Sequence, residues 1–427
     1  MRDLKDSGIE WIGEIPKEWE ISKIKYVGEF RNGLTYSPND VTDKENGILV
    51  LRSSNIQNGK IDLNDNVYVS TKINSNLIVK KGDILICSCN GSKQLVGKNA
   101  IINTDKIVTF GSFMMIFRTK NPKFMYYVLN SGIFTYYLET FSTTTINQLT
   151  SKNFGNMNFP FPPLESQIKI TNFLDKKCKK IDLIKDKILT QISNLKEFKK
   201  SIITKAVTKG LDKNAKFKDS GIEWIGEIPS HWKISKVKYT GEYRNGLTYS
   251  PNDMTDENNG ILVLRSSNIQ NGKIDLKDNV YVSTQIKSNL MIKKGDILIC
   301  SRNGSKNLIG KNTIINSNIT ATFGAFMMIY RTKNSKFMYY VLNSDIFSYY
   351  LETFLTSTIN QLTTTNFGNI KFPFPPLNEQ QEIANYLDKK CEKIDEIIEL
   401  KNKELEILDE YKKSLIYEYV TGKKEVK

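Results

Sequence analysis

Two kinds of hydrophobic pattern alternate along the chain, and each occurs twice. The first is short. Apolar runs such as Val67-Tyr68-Val69, Ile84-Leu85-Ile86-Cys87, Ile101-Ile102 and Phe113-Met114-Met115-Ile116-Phe117 are separated by polar turns such as Asn58-Gly59-Lys60 and Lys80-Lys81-Gly82-Asp83. Runs of that length bounded by Gly and Asn predict strands and tight turns. One helix is predicted over 122–139, with Met125, Val128, Leu129 and Leu138 among its apolar positions. The second kind is long. It follows Phe159-Pro160-Phe161-Pro162-Pro163, where proline stops regular structure. Leu174, Cys178, Ile181, Ile184, Ile188, Ile192, Leu195, Phe198, Ile202 and Ala206 then recur every three or four residues, the period of an amphipathic helix. At 1.5 Å per residue, about 35 residues make a rod of roughly 50 Å.

The whole pattern is written twice at one constant offset. Asp6 maps onto Asp219, Arg31 onto Arg244, Gly82 onto Gly295, Gln148 onto Gln361 and Cys178 onto Cys391, with no gap. A repeat this long is a domain duplication rather than a solenoid of short units. The second rod carries Leu387, Cys391, Ile394, Ile398, Leu405, Leu408, Tyr411, Leu415 and Tyr419, with Lys and Glu on its other faces, as in a coiled coil. One such stripe outruns the face of a small domain, so each rod needs a partner, and its duplicate supplies one. The alternative is that each rod packs only on its own module. The expected fold class is α+β: two globular domains joined by two long antiparallel helices, an intramolecular coiled coil with pseudo-twofold symmetry. The boundaries predicted are 1–165 and 213–378 for the globular domains, 166–212 for the central helix and 379–427 for the distal one.

Charge points to the partner. The chain has 61 Lys and Arg against 46 Asp and Glu, a formal net charge of +15. Such a surplus favours a polyanion, nucleic acid first, although a chain rich in Lys, Asn and Ile can be basic for compositional reasons alone. The start Met-Arg-Asp-Leu-Lys-Asp lacks an apolar secretory segment, and no run reaches the roughly 20 apolar residues that span a bilayer. A cytoplasmic protein with no membrane partner is expected, its five cysteines reduced.

Catalysis finds few candidates. The single histidine, His231, has Glu18 as its counterpart in the first copy, so histidine-based acid–base or nucleophilic chemistry has no duplicated site; a surface loop residue is expected. Cys87 and Cys89 correspond to Cys300 and Arg302, and no four-ligand metal set is visible. The stretch from Gly91 to Asn99 resembles a phosphate-binding loop, but it has five residues between its glycines and Asn where Ser or Thr should hold Mg²⁺. Phe161-Pro162-Pro163-Leu164 lacks the polar first residue and the aromatic last one of an amino-methyltransferase motif. No catalytic or metal residues are therefore expected on this chain.

The motifs resemble those of type I restriction-modification specificity (S) subunits over essentially the full length. The opening motif runs from Asp6 to Pro16 and ends on Trp19, and it recurs from Asp219 to Pro229, ending on Trp232. The turn and strand Lys81-Gly82-Asp83-Ile84-Leu85-Ile86 recurs at Lys294 to Ile299. The closing motif Pro375-Pro376-Leu377-Asn378-Glu379-Gln380 appears in the first copy with Ser166 in place of Glu, which puts a capping role there in doubt. The resemblance implies two target recognition domains that each read half of a split sequence in double-stranded DNA. It also implies docking of two methyltransferase (M) subunits, with restriction (R) subunits added to the complex. Adenine-N6 methylation with S-adenosylmethionine, and ATP- and Mg-dependent translocation and cleavage, would then belong to the partners, with no cofactor on this chain. The competing reading is a coiled-coil scaffold whose paired domains bind protein or carbohydrate.

Phosphate neutralisation needs cations and base reading needs side-chain donors and acceptors. The candidate DNA contacts are Arg31, Asn32, Tyr36, Arg52, Asn90, Lys93 and Lys98, with Arg244, Asn245, Tyr249, Arg265, Asn303, Lys306 and Lys311 in the repeat. Each could equally be a solvated surface residue. The polar stretches 142–148 and 355–361 are further groove candidates. Family members usually carry two different recognition domains, but these two are nearly identical, and two-fold proteins read inverted repeats. The expected target is thus interrupted and nearly palindromic. Arg302 against Cys89 is the largest chemical change in a loop, so one half-site is expected to differ by a base.

Overall fold

The structure is a computed structural model that describes residues 3–141, 147–355 and 360–426. The chain forms two compact units, Met1–Ile188 with Asn402–Lys427, and Leu189–Lys401. Both units are built from the same mixed set of helices and sheets.

In the first unit, an antiparallel sheet has the strand order Asn99–Ile101, Ile84–Cys87, Met114–Thr119, Gly28–Asn32. Its central strands are apolar on both faces, which explains their unbroken hydrophobic runs. Leu85, Cys87, Met114 and Ile116 pack toward a second sheet formed by Val108–Phe110, Ile48–Leu51, Val67–Val69 and Val41–Thr42. Ile84, Ile86, Met115 and Phe117 face the helices instead. The Asn58-Gly59 turn closes the hairpin Ile56–Gln57/Lys60–Ile61 with φ of 51° and 70°, the left-handed pair that a type I′ turn requires. Asp83, in the Lys-Gly-Asp turn, is buried. Its carboxylate takes two bonds from Arg118, at 2.7 and 2.6 Å, and a third from the Lys80 backbone N–H at 2.8 Å. Asp296 pairs with Arg331 in the same way.

The single helix expected over 122–139 is two helices, Pro122–Val128 and Gly132–Phe141. Ser131 makes the break. Its hydroxyl donates to the Val128 carbonyl and accepts from the Ile133 N–H, a local bond that competes with continued helix. Phe113 was expected within a strand, but the strand begins at Met114 and Phe113 sits in the turn before it.

The long helices are Leu164–Lys209 and Leu377–Val420. Each begins directly after a Pro-Pro pair, and a glutamine secures the start. Gln167 Nε2 donates to the Pro162 carbonyl and Gln380 Nε2 to the Pro375 carbonyl, both at 2.8 Å. Replacing Glu379 by Ser166 in the first copy therefore leaves this turn intact. Within the first unit the two helices run antiparallel: Lys412 pairs with Asp182, Lys185 with Asp409, and the Phe173 ring packs at a tilt against Tyr419. Within the second, Lys199 pairs with Asp395 and Lys401 with Gln191.

Each unit's core also contains the tip of the other copy's helix. Leu415, Ile416 and Val420 are buried in the first unit, and Ile203, Ala206 and Val207 in the second. The predicted stripe is narrower than expected, because Ile184, Phe198 and Tyr411 are exposed. A facing helix covers only a narrow seam, and toward the tips the covering surface is the module, which shifts burial to Ile203, Val207, Ile416 and Val420.

Candidate nucleic-acid interface

Five polar loops of the first unit meet at one edge of its two sheets. Leu34 donates its N–H to the Phe110 carbonyl at 2.7 Å, and Gly33 to that of Met114 at 3.1 Å. A Cβ on Gly33 would lie 2.3 Å from two carbonyl oxygens of that turn, so only glycine permits the approach. The Gly111 N–H donates to the Leu51 carbonyl at 3.0 Å, which brings in Arg52 to Asn55. Asn55 is buried and holds its own turn, accepting from the Arg52 N–H and donating to the carbonyls of Asp62 and Asp65. Asn90 Nδ2 reaches Ser53 Oγ at 3.2 Å, and Asn147 Nδ2 reaches the Gly91 carbonyl at 3.2 Å. Cys89 donates its N–H to the Phe113 carbonyl at 3.1 Å and forms an antiparallel bridge with Gln148. The second unit repeats these bonds at Leu247, Gly324, Asn268, Asn303, Asn360 and Arg302.

Asn32, Tyr36, Arg52, Asn90 and Lys93 lie on or beside this edge, as do Asn245, Tyr249, Arg265, Arg302, Asn303 and Lys306. Ser151 Oγ bonds Asn32 at 3.4 Å, and the Tyr36 ring lies against Gly111. Lys93 is exposed in a short helical turn, while Lys306 reaches the Leu355 carbonyl at 3.3 Å. Arg52 and Arg265 are tied to Asp65 and Asp278. Arg31 and Arg244 are not part of the cluster: each is ion-paired to a glutamate two residues back and bonded to the carbonyl of Asn76 or Asn289. Lys98 and Lys311 are half-buried where the loop returns to its strand. Because the segment from Gly91 to Asn99 leads into a strand, it lacks the helix N-terminus of a phosphate loop. Of the groove candidates 142–148 and 355–361, residues 142–146 and 356–359 lie outside the described residues.

Sequence reading missed Phe113 and Phe326, which are 66% and 57% exposed at the tip of the edge, and also Ser53, whereas Asn147 and Gln148 fall within the groove candidate 142–148. A signal for them was present in the duplication. Gly33 to Ser37, Arg52 to Gln57 and Asn147 to Thr150 recur unchanged while Lys17-Glu18 stands against Ser230-His231, although exposed residues away from the edge such as Glu10, Tyr26 and Glu29 recur as well.

Titratable groups elsewhere are structural. Burial pushes the Cys87 and Cys300 thiols up. Tyr127 is also pushed up, first by burial and then by its bond to Asp175, which ties the helix Pro122–Val128 to the long helix. His231 is half-exposed and shares Glu379 with the Trp232 indole N–H. Among the described residues no group of three or more His, Cys, Asp or Glu could hold a metal ion, and no helix is long and apolar enough to cross a membrane.

The sequence matches the type I restriction modification DNA specificity domain twice, at residues 16–194 and 229–422. A Methanocaldococcus jannaschii chain assigned as the MjaX specificity subunit of a type I restriction enzyme is 30% identical, over 97% of this chain and 96% of that one. The MjaVIII specificity subunit of the same organism is 29% identical over 83% of this chain and 82% of its own. Among solved structures, a chain from work on complex assembly and conformational transition of the type I R-M system shares the fold. Its TM-score is 0.67 at 16% identity, covering 96% of this chain and 99% of that one. With two specificity domains in tandem and a full-length relative, the chain belongs to the type I restriction-modification specificity subunits, the non-catalytic component that confers DNA sequence specificity.

Proposed function

We propose that each loop edge reads one half of an interrupted, nearly palindromic duplex DNA target. The observation that carries this reading is the pair of edges: two sets of exposed polar loops, alike in residues and hydrogen bonds, one on each unit. Lys93, Lys306 and the surplus of positive charge suit phosphates, while Asn32, Asn90, Gln148 and their counterparts offer the paired donors and acceptors that base edges require. The exchange of helix tips between the copies supports inverted half-sites.

The long helices are the proposed docking surface for two methyltransferase subunits, which in turn recruit restriction subunits. Leu183, Ile184, Ile407 and Tyr411 on the first unit, and Leu189, Phe198, Ile397 and Leu400 on the second, are exposed apolar side chains, more than a solvated helix needs. S-adenosylmethionine, ATP and Mg²⁺ are assigned to those partners, and the complex to the cytoplasm. The test is binding of duplex DNA by the chain with its methyltransferase over a salt series. Affinity should fall steeply with salt, and Lys93→Ala or Lys306→Ala should each lower the log–log slope by about one. Binding that ignores salt, or no binding beside the methyltransferase, refutes the proposal.

A further inference from the structure

Seven arginines are described, at 31, 52, 118, 244, 265, 302 and 331. Six of them are ion-paired, to Glu29, Asp65, Asp83, Glu242, Asp278 and Asp296 respectively. Arg302 has no carboxylate partner among the described residues. It is exposed on the loop edge of the second unit, its guanidinium 5.2 Å from the centroid of the Phe326 ring. The backbone beneath it is fixed by the bond from its N–H to the Phe326 carbonyl at 3.1 Å and by the bridge to Gln361.

The first unit provides an internal control. Cys89 occupies the same frame, with the same bond to Phe113 and the same bridge to Gln148. Across 33–37, 52–57, 88–93, 111–113 and 147–150, only two positions differ from their counterparts: Cys89 becomes Arg302, and Ser112 becomes Ala325. Only the first adds a charge. An aromatic seat holds the guanidinium plane while leaving its forked N–H edge free, and that fork matches the O6 and N7 acceptors of guanine in the major groove. A residue serving only phosphate affinity has no reason to differ between two edges that otherwise match.

Resting on the DNA reading above, we infer that Arg302, seated on Phe326, reads one guanine in the half-site of the second unit, and that the first unit leaves the equivalent base pair unread. The experiment compares methylated motifs in hosts carrying the complete system with the unaltered chain, Arg302→Cys, Cys89→Arg or Ala325→Ser. The unaltered chain should require a G·C pair at one position of one half-site only. Arg302→Cys should relax that requirement by roughly ten- to a hundredfold, Cys89→Arg should impose it on the other half-site, and Ala325→Ser should change neither. Should Arg302→Cys methylate nothing, Cys89→Arg decides, since the frame already accommodates arginine in the other unit. Motifs unchanged by both substitutions overturn the inference and leave the DNA reading standing, as does a uniform loss of methylation at an unchanged motif, which marks a phosphate contact. An unaltered chain that directs no sequence-dependent methylation overturns the DNA reading itself.

Discussion

The loop edges and the long helices descend from the same duplication, and they have diverged to different extents. At the edges, exposed residues are retained: Arg52 to Gln57 matches Arg265 to Gln270 without a change. Along the helices change is more frequent and reaches the seam, where buried Ile188 has Lys401 as its counterpart, although exposed Lys176, Lys177 and Asp182 recur as Lys389, Lys390 and Asp395. Lysines outnumber acids in Leu164–Lys209, and acids outnumber lysines in Leu377–Val420. A solvated helix face needs only charge, so its residues drift, and opposite drift suits two helices that face each other. Some pairs survive in both settings. Asp182–Lys412 in the first unit and Asp395–Lys199 in the second are copies of each other. Lys185–Asp409 has no such twin, because the corresponding residues are Ile398 and Lys196. Where a binding partner reads the surface, exposure does not license change.

The contrast can be broken most severely at the helix tips. Ile416→Ala should cost about 2–4 kcal/mol and unfold the first unit ahead of the second, although residue 416 belongs to the second copy. Ile203→Ala should do the reverse, and hydrogen exchange resolved by unit reads both outcomes. Asp83→Asn removes the charge from a bidentate pair whose carboxylate is buried but whose guanidinium is partly exposed. A cost of about 2–3 kcal/mol is expected, below the full penalty for breaking a buried pair, as a fall in the denaturation midpoint of the first unit. Cysteine chemistry sharpens the comparison next. Cys391, in the helix seam, is pushed up to about 11 by burial, and Cys89 on the loop edge is the one cysteine not buried. Alkylation near pH 8 should therefore modify Cys89 first and be slowed by bound DNA. Because the unfolded Cys391 thiol ionises near its ordinary value and the folded one only near 11, its contribution to stability is whole below about pH 9 and is lost as pH rises toward 11, which a denaturation series across that range detects. The smallest effect belongs to Lys185→Glu. Its pair with Asp409 is solvent-exposed, so about 0.2–1 kcal/mol is expected, and it should shrink in high salt.

Much of the fold was legible in the sequence because periodicity and duplication record burial directly. The strand Ile84–Cys87, the turn at Asn58-Gly59 and both long helices follow from residue pattern alone. The break at Ser131 did not, since a serine hydroxyl can cap a helix or simply face solvent, and only tertiary packing selects between them. The loop edge was legible in part. Asn90 and Lys93 could be named from their residue types, whereas Phe113 looked like a strand residue because the apolar run continues through it to Met114. Arg31 failed for a different reason: its neutraliser, Glu29, lies two residues away on the same face of one strand, a spacing that could have flagged the pair beforehand.

The most direct test is the methylated motif in a host carrying the unaltered chain with its methyltransferase. Two inverted half-sites, separated by a fixed gap and alike at every base pair but one, are the predicted outcome. Two half-sites with no sequence in common would contradict the account, because matching edges would then be reading different bases.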